Sequence, residues 1–199
     1  MTMQNGCKDA TTAYLWADTA YWSMATGDLA FHDTKAFHST DWPWAASLTT
    51  WGEVSPMQLV GDISYSDTKD LDSLLASSVD ALRGFVRDGG GGRILVASFE
   101  GKPRLHMIAC HEVFPGYGAF EPVEVEHFTS SANETEAYRE AAGDMTPEAM
   151  RRVIDAQCST PFVGQGPLAK LGPRIWVGGN IVRVEVGADG VKTAVERPV

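Results

Sequence analysis

Residues 11–22 read TTAYLWADTAYW. Apolar and polar residues nearly alternate there, the period of a β-strand with one face in a core. Asp18 falls where that alternation calls for a buried side chain. Burying a carboxylate is expensive unless it is paired and hydrogen-bonded. A fold that keeps this strand inside must therefore bring a cation or several donors to Asp18. The alternative is that Asp18 ends the strand, faces water or caps the turn that follows.

The rest of the chain sets the architecture in which that choice is made. Residues 35–39 and 44–52 read as two further strands, separated from their neighbours by turn residues at Gly27-Asp28 and Asp41-Trp42-Pro43. A short helix is expected from Pro56, with Ser55 as its cap and Pro56 in the first turn. Leu71, Leu74, Leu75, Val79, Leu82, Phe85 and Val86 recur at three- and four-residue steps, one apolar stripe of a longer helix. The run DGGGG (88–92) reads as a flexible turn closing it. Residues 93–99 and 104–114 read as strands of a hairpin around Glu100-Gly101-Lys102-Pro103. Residues 115–132 carry no clear period. Thr146-Pro147-Glu148 opens another helix, residues 159–173 form a Pro/Gly loop, and a closing hairpin turns at Asp189-Gly190. Helices grouped between antiparallel strands predict a single α+β domain spanning 1–199.

Composition excludes several function classes. The net charge of −10 over 199 residues offers no basic patch for phosphates, so nucleic acid is not the expected partner. No stretch reaches the roughly 18 apolar residues of a membrane helix, and MTMQNGCKDA lacks the apolar centre of a signal peptide. A membrane is therefore not an expected partner and a cytoplasmic location is the expectation. Cys7, Cys110 and Cys158 are widely spaced, without a CxxC pair, so neither a zinc knuckle nor a disulfide framework is predicted. No cofactor is predicted.

The N-terminal residues resemble the proteasome β-subunit branch of the N-terminal-nucleophile hydrolases. The resemblance rests on Thr2, a turn at Cys7-Lys8-Asp9, LWAD at 15–18, Gly27, Lys35-Ala36-Phe37 and Trp51-Gly52, and on VGGNIVRVEVGADGV at 177–191, which is similar to the closing hairpin of small bacterial members. It implies a four-layer αββα sandwich, two mainly antiparallel sheets covered by helices. It also implies a site of four residues. Thr2, exposed as the first residue once Met1 is removed, would be the nucleophile. Its α-amine, with a pKa of about 7.7–8.0, would be the base that a threonine hydroxyl needs. Lys35 would disfavour protonation of that amine, Asp18 would hold Lys35, and the Gly52 N–H would help bind the oxyanion. The substrate class would be a peptide or small amide. Thr11-Thr12 is too close to Asp18 for the hairpin this chemistry requires.

Other chemistry-bearing residues carry less. His106 and His111, read on one strand, are five apart and point to opposite faces, wrong for joint metal ligation. Cys110-His111 are adjacent, so a strand aims them apart. His32 and His38 flank Lys35 and read as loop polarity. Residues 89–92 lack the Lys-Ser/Thr of a phosphate loop. Trp16, Trp22, Trp42, Trp44 and Trp51 crowd the first 51 residues, as core or as a contact surface, with DWPW (41–44) the stretch expected to be exposed. The segment TMQNG has low β-propensity and little to bury. Two readings follow. One is an N-terminal-threonine amide hydrolase. The other is a catalytically inactive subunit with the same fold, packed as a homo-oligomer, in a ring or in a larger particle such as a phage virion.

Overall fold

The computed structural model describes residues 3–23, 25–52, 54–130, 136–141, 144–163 and 166–198. The chain enters in β1 (Gln4–Lys8) and reverses at Asp9, whose carboxylate accepts the N–H groups of Thr11 and Thr12 at 2.7 and 2.9 Å. β2 (Thr12–Asp18) returns alongside β1. The single strand predicted over 11–22 breaks after Asp18, and β3 (Ala20–Trp22) leaves to form a separate ribbon with β4 (Leu29–His32). β5 (Ala36–His38) and β6 (Trp44–Gly52) make the next hairpin.

α1 (Pro56–Ser64) starts as its sequence requires: the Ser55 hydroxyl accepts the Met57 N–H, and Pro56, with no N–H to leave unpaired, occupies the first turn. α2 (Leu71–Arg87) opens with a reciprocal box between Asp70 and Ser73. β7 (Gly90–Phe99) and β8 (Pro103–Ala109) follow, then the short β9 (Val123–Glu124) and β10 (His127–Thr129). α3 (Glu136–Ala141) precedes α4 (Pro147–Ser159), which is capped by the Thr146 hydroxyl. The loop predicted over 159–173 holds a small ribbon, β11 (Phe162–Val163) with β12 (Pro173–Arg174), and a 3-10 turn at Gly166–Leu171. β13 (Asn180–Gly187) and β14 (Gly190–Pro198) close the chain as a hairpin.

Among the described residues the molecule is mixed α/β, with four α-helices and several antiparallel sheets. Two of the sheets have five strands, in the orders β10-β1-β2-β13-β14 and β5-β6-β7-β8-β9. Three apolar clusters divide the interior. One joins inward residues of both large sheets, Ala13, Leu15, Ala17 and Val184 from the first with Ala45, Leu95, Ala97 and Met107 from the second. The opposite face of the second sheet, Ala46, Leu48, Ile94 and Val96, packs on Leu59 and Ile63 of α1 and Leu74, Leu82 and Phe85 of α2. The opposite face of the first sheet, Cys7, Trp16 and Ile181, packs on Met150, Val153 and Ile154 of α4.

Four expectations need correcting. Gly90–Gly92 belong to β7 and not to a turn: a Cβ at Gly90 would lie 2.3 Å from the Phe85 ring and one at Gly91 2.2 Å from Trp51 Nε1. Close approach of neighbours, not turn geometry, selects glycine there. β8 stops at Ala109, so Cys110 and His111 lie past its end, and Sγ and Nδ1 approach to 3.8 Å instead of being aimed apart. Trp44 is buried against Phe37 and the α1–α2 cluster, so DWPW is not an exposed stretch. Gln4, Asn5, Gly6 and Cys7 are all buried, because β1 runs between β10 and β2 rather than along an edge.

Candidate functional site

Every residue of β2 from Leu15 to Asp18 is buried, because the strand lies mid-sheet with covered faces on both sides. Asp18 ends it with no measurable exposure and Lys35 is 2% exposed. Lys35 reaches across from the residue preceding β5, and its Nζ donates to Asp18 Oδ1 at 2.8 Å. The ammonium also donates to the Ala20 carbonyl and stands 4.8 Å from the centre of the Tyr21 ring. Asp18 Oδ1 takes a second donor, the Met3 N–H at 3.0 Å, and Oδ2 takes the Gly178 N–H at 3.2 Å. The carboxylate is therefore held by one cation and two backbone amides from three distant parts of the chain.

Burial works against both charges. It pushes the Asp18 carboxyl up, while Lys35, Gly178 and Met3 pull it down. It pulls the Lys35 ammonium down from the usual lysine range, opposed by Asp18. Two charges sealed together in this way keep their ionised forms only through each other and their hydrogen bonds.

A polar lattice missed in the sequence adjoins this pair. On the face of β1 toward the second sheet, Gln4 Nε2 donates to the Ser47 carbonyl at 2.8 Å, and Thr49 Oγ1 donates to Gln4 Oε1 at 3.1 Å. On the opposite face, Asn5 Nδ2 donates to Gln157 Oε1 of α4 at 2.6 Å, and Gln157 Nε2 reaches the Ser130 carbonyl at 2.5 Å. The Gln4 N–H donates to Ser130 Oγ at 2.9 Å. Met3, Gln4 and Asn5 are thus pinned to β2, β6, α4 and the segment after β10. The available signal was Gln4-Asn5 at the start of a chain whose next strand is apolar, together with Ser47 and Thr49 at alternate positions of an apolar strand.

The other predicted residues sit as follows. Thr2 lies outside the described residues, one position before Met3, whose N–H is on Asp18. Gly52 ends β6 with φ of 102°, opposite Gly90. It lies four residues beyond Leu48, whose N–H bonds the Lys35 carbonyl, a separation of about 13 Å along a strand. The structure thus joins Asp18 to Lys35 and does not join Gly52 to them. His32 and His38 are exposed, His106 is buried on β8, and His111 lies beside Trp51. Among the described residues, no group of His, Cys, Asp or Glu is arranged to hold a metal ion, and no helix is long and apolar enough to cross a membrane.

No protein-family model matches the chain, and no curated protein matches it.

Proposed function

We propose that the chain is a proteasome-like N-terminal-nucleophile protein, its two large sheets and their helices forming a four-layer αββα sandwich, and that it hydrolyses a peptide or small amide through Thr2. The observation that carries this reading is the buried Asp18–Lys35 pair, with the Met3 N–H on the same carboxylate oxygen. A cation locked at that place shares its carboxylate oxygen with the N–H of Met3, the residue that follows Thr2 in the sequence.

In this mechanism Met1 is removed and the free Thr2 amine takes the proton of its own hydroxyl. Oγ attacks the substrate carbonyl carbon and the carbonyl oxygen becomes an oxyanion. The protonated amine then gives its proton to the leaving nitrogen, the C–N bond breaks, and water hydrolyses the remaining ester. Lys35 favours the neutral, basic amine by charge repulsion, and Asp18 keeps Lys35 in place.

Intact-mass measurement of the purified protein tests the first requirement, since retained Met1 excludes the mechanism. With Thr2 exposed, turnover of fluorogenic peptide amides is expected, abolished in Thr2→Ala and lowered about 10²-fold or more in Lys35→Met. Unchanged turnover in Thr2→Ala overturns the assignment. A second reading, a non-catalytic subunit of a homo-oligomer or larger particle, draws on the exposed apolar side chains Leu29 and Phe31 of β4 and Val195 of the edge strand β14. Light scattering that shows a monomer at all concentrations counts against it.

A further inference from the structure

Arg93 is the odd charge of this fold. It sits near the start of β7, directly opposite Thr49 of β6, so both side chains leave the sheet on the same face. Thr49 identifies that face, because its hydroxyl bonds Gln4 of the other large sheet. Arg93 therefore projects into the space between the sheets. Its guanidinium stands 5.3 Å from the centre of the Phe128 ring, on β10 across the gap.

Among the described residues nothing else compensates the charge. Arg93 Nε is sealed from solvent and has no hydrogen-bond partner, and among the described residues no carboxylate pairs with this guanidinium. The other sealed arginine nitrogen of this kind, Nε of Arg183, belongs to a side chain whose Nη atoms bond Glu185 and Glu196 at 3.1 Å each. Desolvating a guanidinium without a counter-ion is costly, and a ring face returns only part of that cost. The residue is not fully enclosed, so the remaining donors are within reach of a ligand.

We propose that Arg93 is the anchor of an anion-binding site at this end of the inter-sheet space, and that its ligand is a monocarboxylate carrying an apolar or aromatic body. The charge count selects the monoanion. Among the described residues of the cluster Arg93 is the lone cation, because burial and Arg93 itself hold His111 below the usual imidazole range and so neutral at pH 7. A phosphate dianion would leave one negative charge uncompensated. The planar fork of a guanidinium matches the two oxygens of a carboxylate. The surroundings select the body: Phe128, edge-on to Phe114 at 6.4 Å, and Trp51, 5.7 Å from His111 and 38% exposed. A free aromatic acid and an acidic side chain of a peptide share this chemistry. The site does not depend on Thr2 or on amide hydrolysis.

The test is titration of the ¹⁵N-labelled full-length chain, observing arginine Nε–Hε resonances. The probes are benzoate, an N-acetylated peptide with a central glutamate, its glutamine counterpart and inorganic phosphate. One resonance, absent in Arg93→Met, is expected to shift with benzoate or the glutamate peptide and not with the glutamine peptide. Whichever of these two binds more tightly identifies the source of the carboxylate. Affinity is expected to fall at least tenfold in Arg93→Met, to be partly kept in Arg93→Lys and to be unchanged in Arg183→Met. A wild-type resonance that ignores every probe overturns the site. Phosphate binding as tightly as benzoate overturns the monocarboxylate. Should Arg93→Met not fold, the wild-type titration and Arg93→Lys decide alone.

Discussion

At the scale of single residues, the Asp18–Lys35 pair behaves as one unit, because each charge is buried and answered mainly by the other. Lys35→Met leaves an unpaired carboxylate under Met3 and Gly178 and is expected to lower unfolding free energy by about 3–5 kcal/mol. Asp18→Asn leaves the ammonium and should cost a similar amount. The double variant, with no charge left to bury, is expected to recover a large part of either loss, read as the coupling in denaturant melts of the full set. Cys7 gives a second residue-scale prediction. Burial, with Asp9 and Glu148, pushes its thiol up to about 12 from 9.0. The unfolded chain therefore loses this proton first, and the native state binds more protons between those two values. Stability falls there as pH rises, at up to about 1.4 kcal/mol per pH unit. Cys7→Ala is expected to flatten that alkaline slope, and a thiol reagent at pH 8 should leave Cys7 unmodified until the protein unfolds.

At the scale of elements, α4 does two jobs, closing an apolar face and satisfying the polar side chain of Asn5. Thr146→Ala removes its cap and is expected to cost about 1 kcal/mol. Gln157→Leu should cost more, because the Asn5 amide loses its partner inside the protein, about 1–3 kcal/mol for a group left unsatisfied. Comparing the two in urea melts separates helix propensity from the tie to β1. Elements were legible in the sequence where local chemistry decides them. Ser55-Pro56 and Thr146-Pro147 marked both helix starts, the stripe from Leu71 to Val86 marked α2, and Asp189-Gly190 marked the last turn. They were not legible where a distant neighbour decides. Gly90 and Gly91 lie in a strand under Phe85 and Trp51, with Gly92 against Thr49 and Thr50, and Gln4-Asn5 are core because Ser47, Thr49 and Gln157 come from elsewhere to meet them. Of the candidate site, the alternation over 11–18 marked Asp18 as an inward carboxylate, whereas its pairing with Lys35 came only from the resemblance to the proteasome β-subunit branch. Arg93 was not legible, since an arginine opening an apolar strand looks like ordinary surface polarity until its row partner is known.

At the scale of the whole molecule, acid should destabilise the fold. His106 is buried on β8, and burial holds its pKa below the usual 6.5. The native state therefore binds fewer protons than the unfolded chain as pH drops through 6.5 and below. The stability present above that pH is lost as it falls, and His106→Gln is expected to reduce the acid slope of the melting temperature. The order β10-β1-β2-β13-β14 also has a temporal consequence. The sheet that holds Asp18 draws on residues 4–18, 127–129 and 180–198, so during synthesis its first hairpin waits, one flank bare, until residues 180–198 have left the ribosome. Such distant pairing makes acquisition of the native state slow. Removing the final hairpin should not trim this protein but strand it, with β2 exposed as a sticky margin and the amide of Gly178 lost from the acid it tethers.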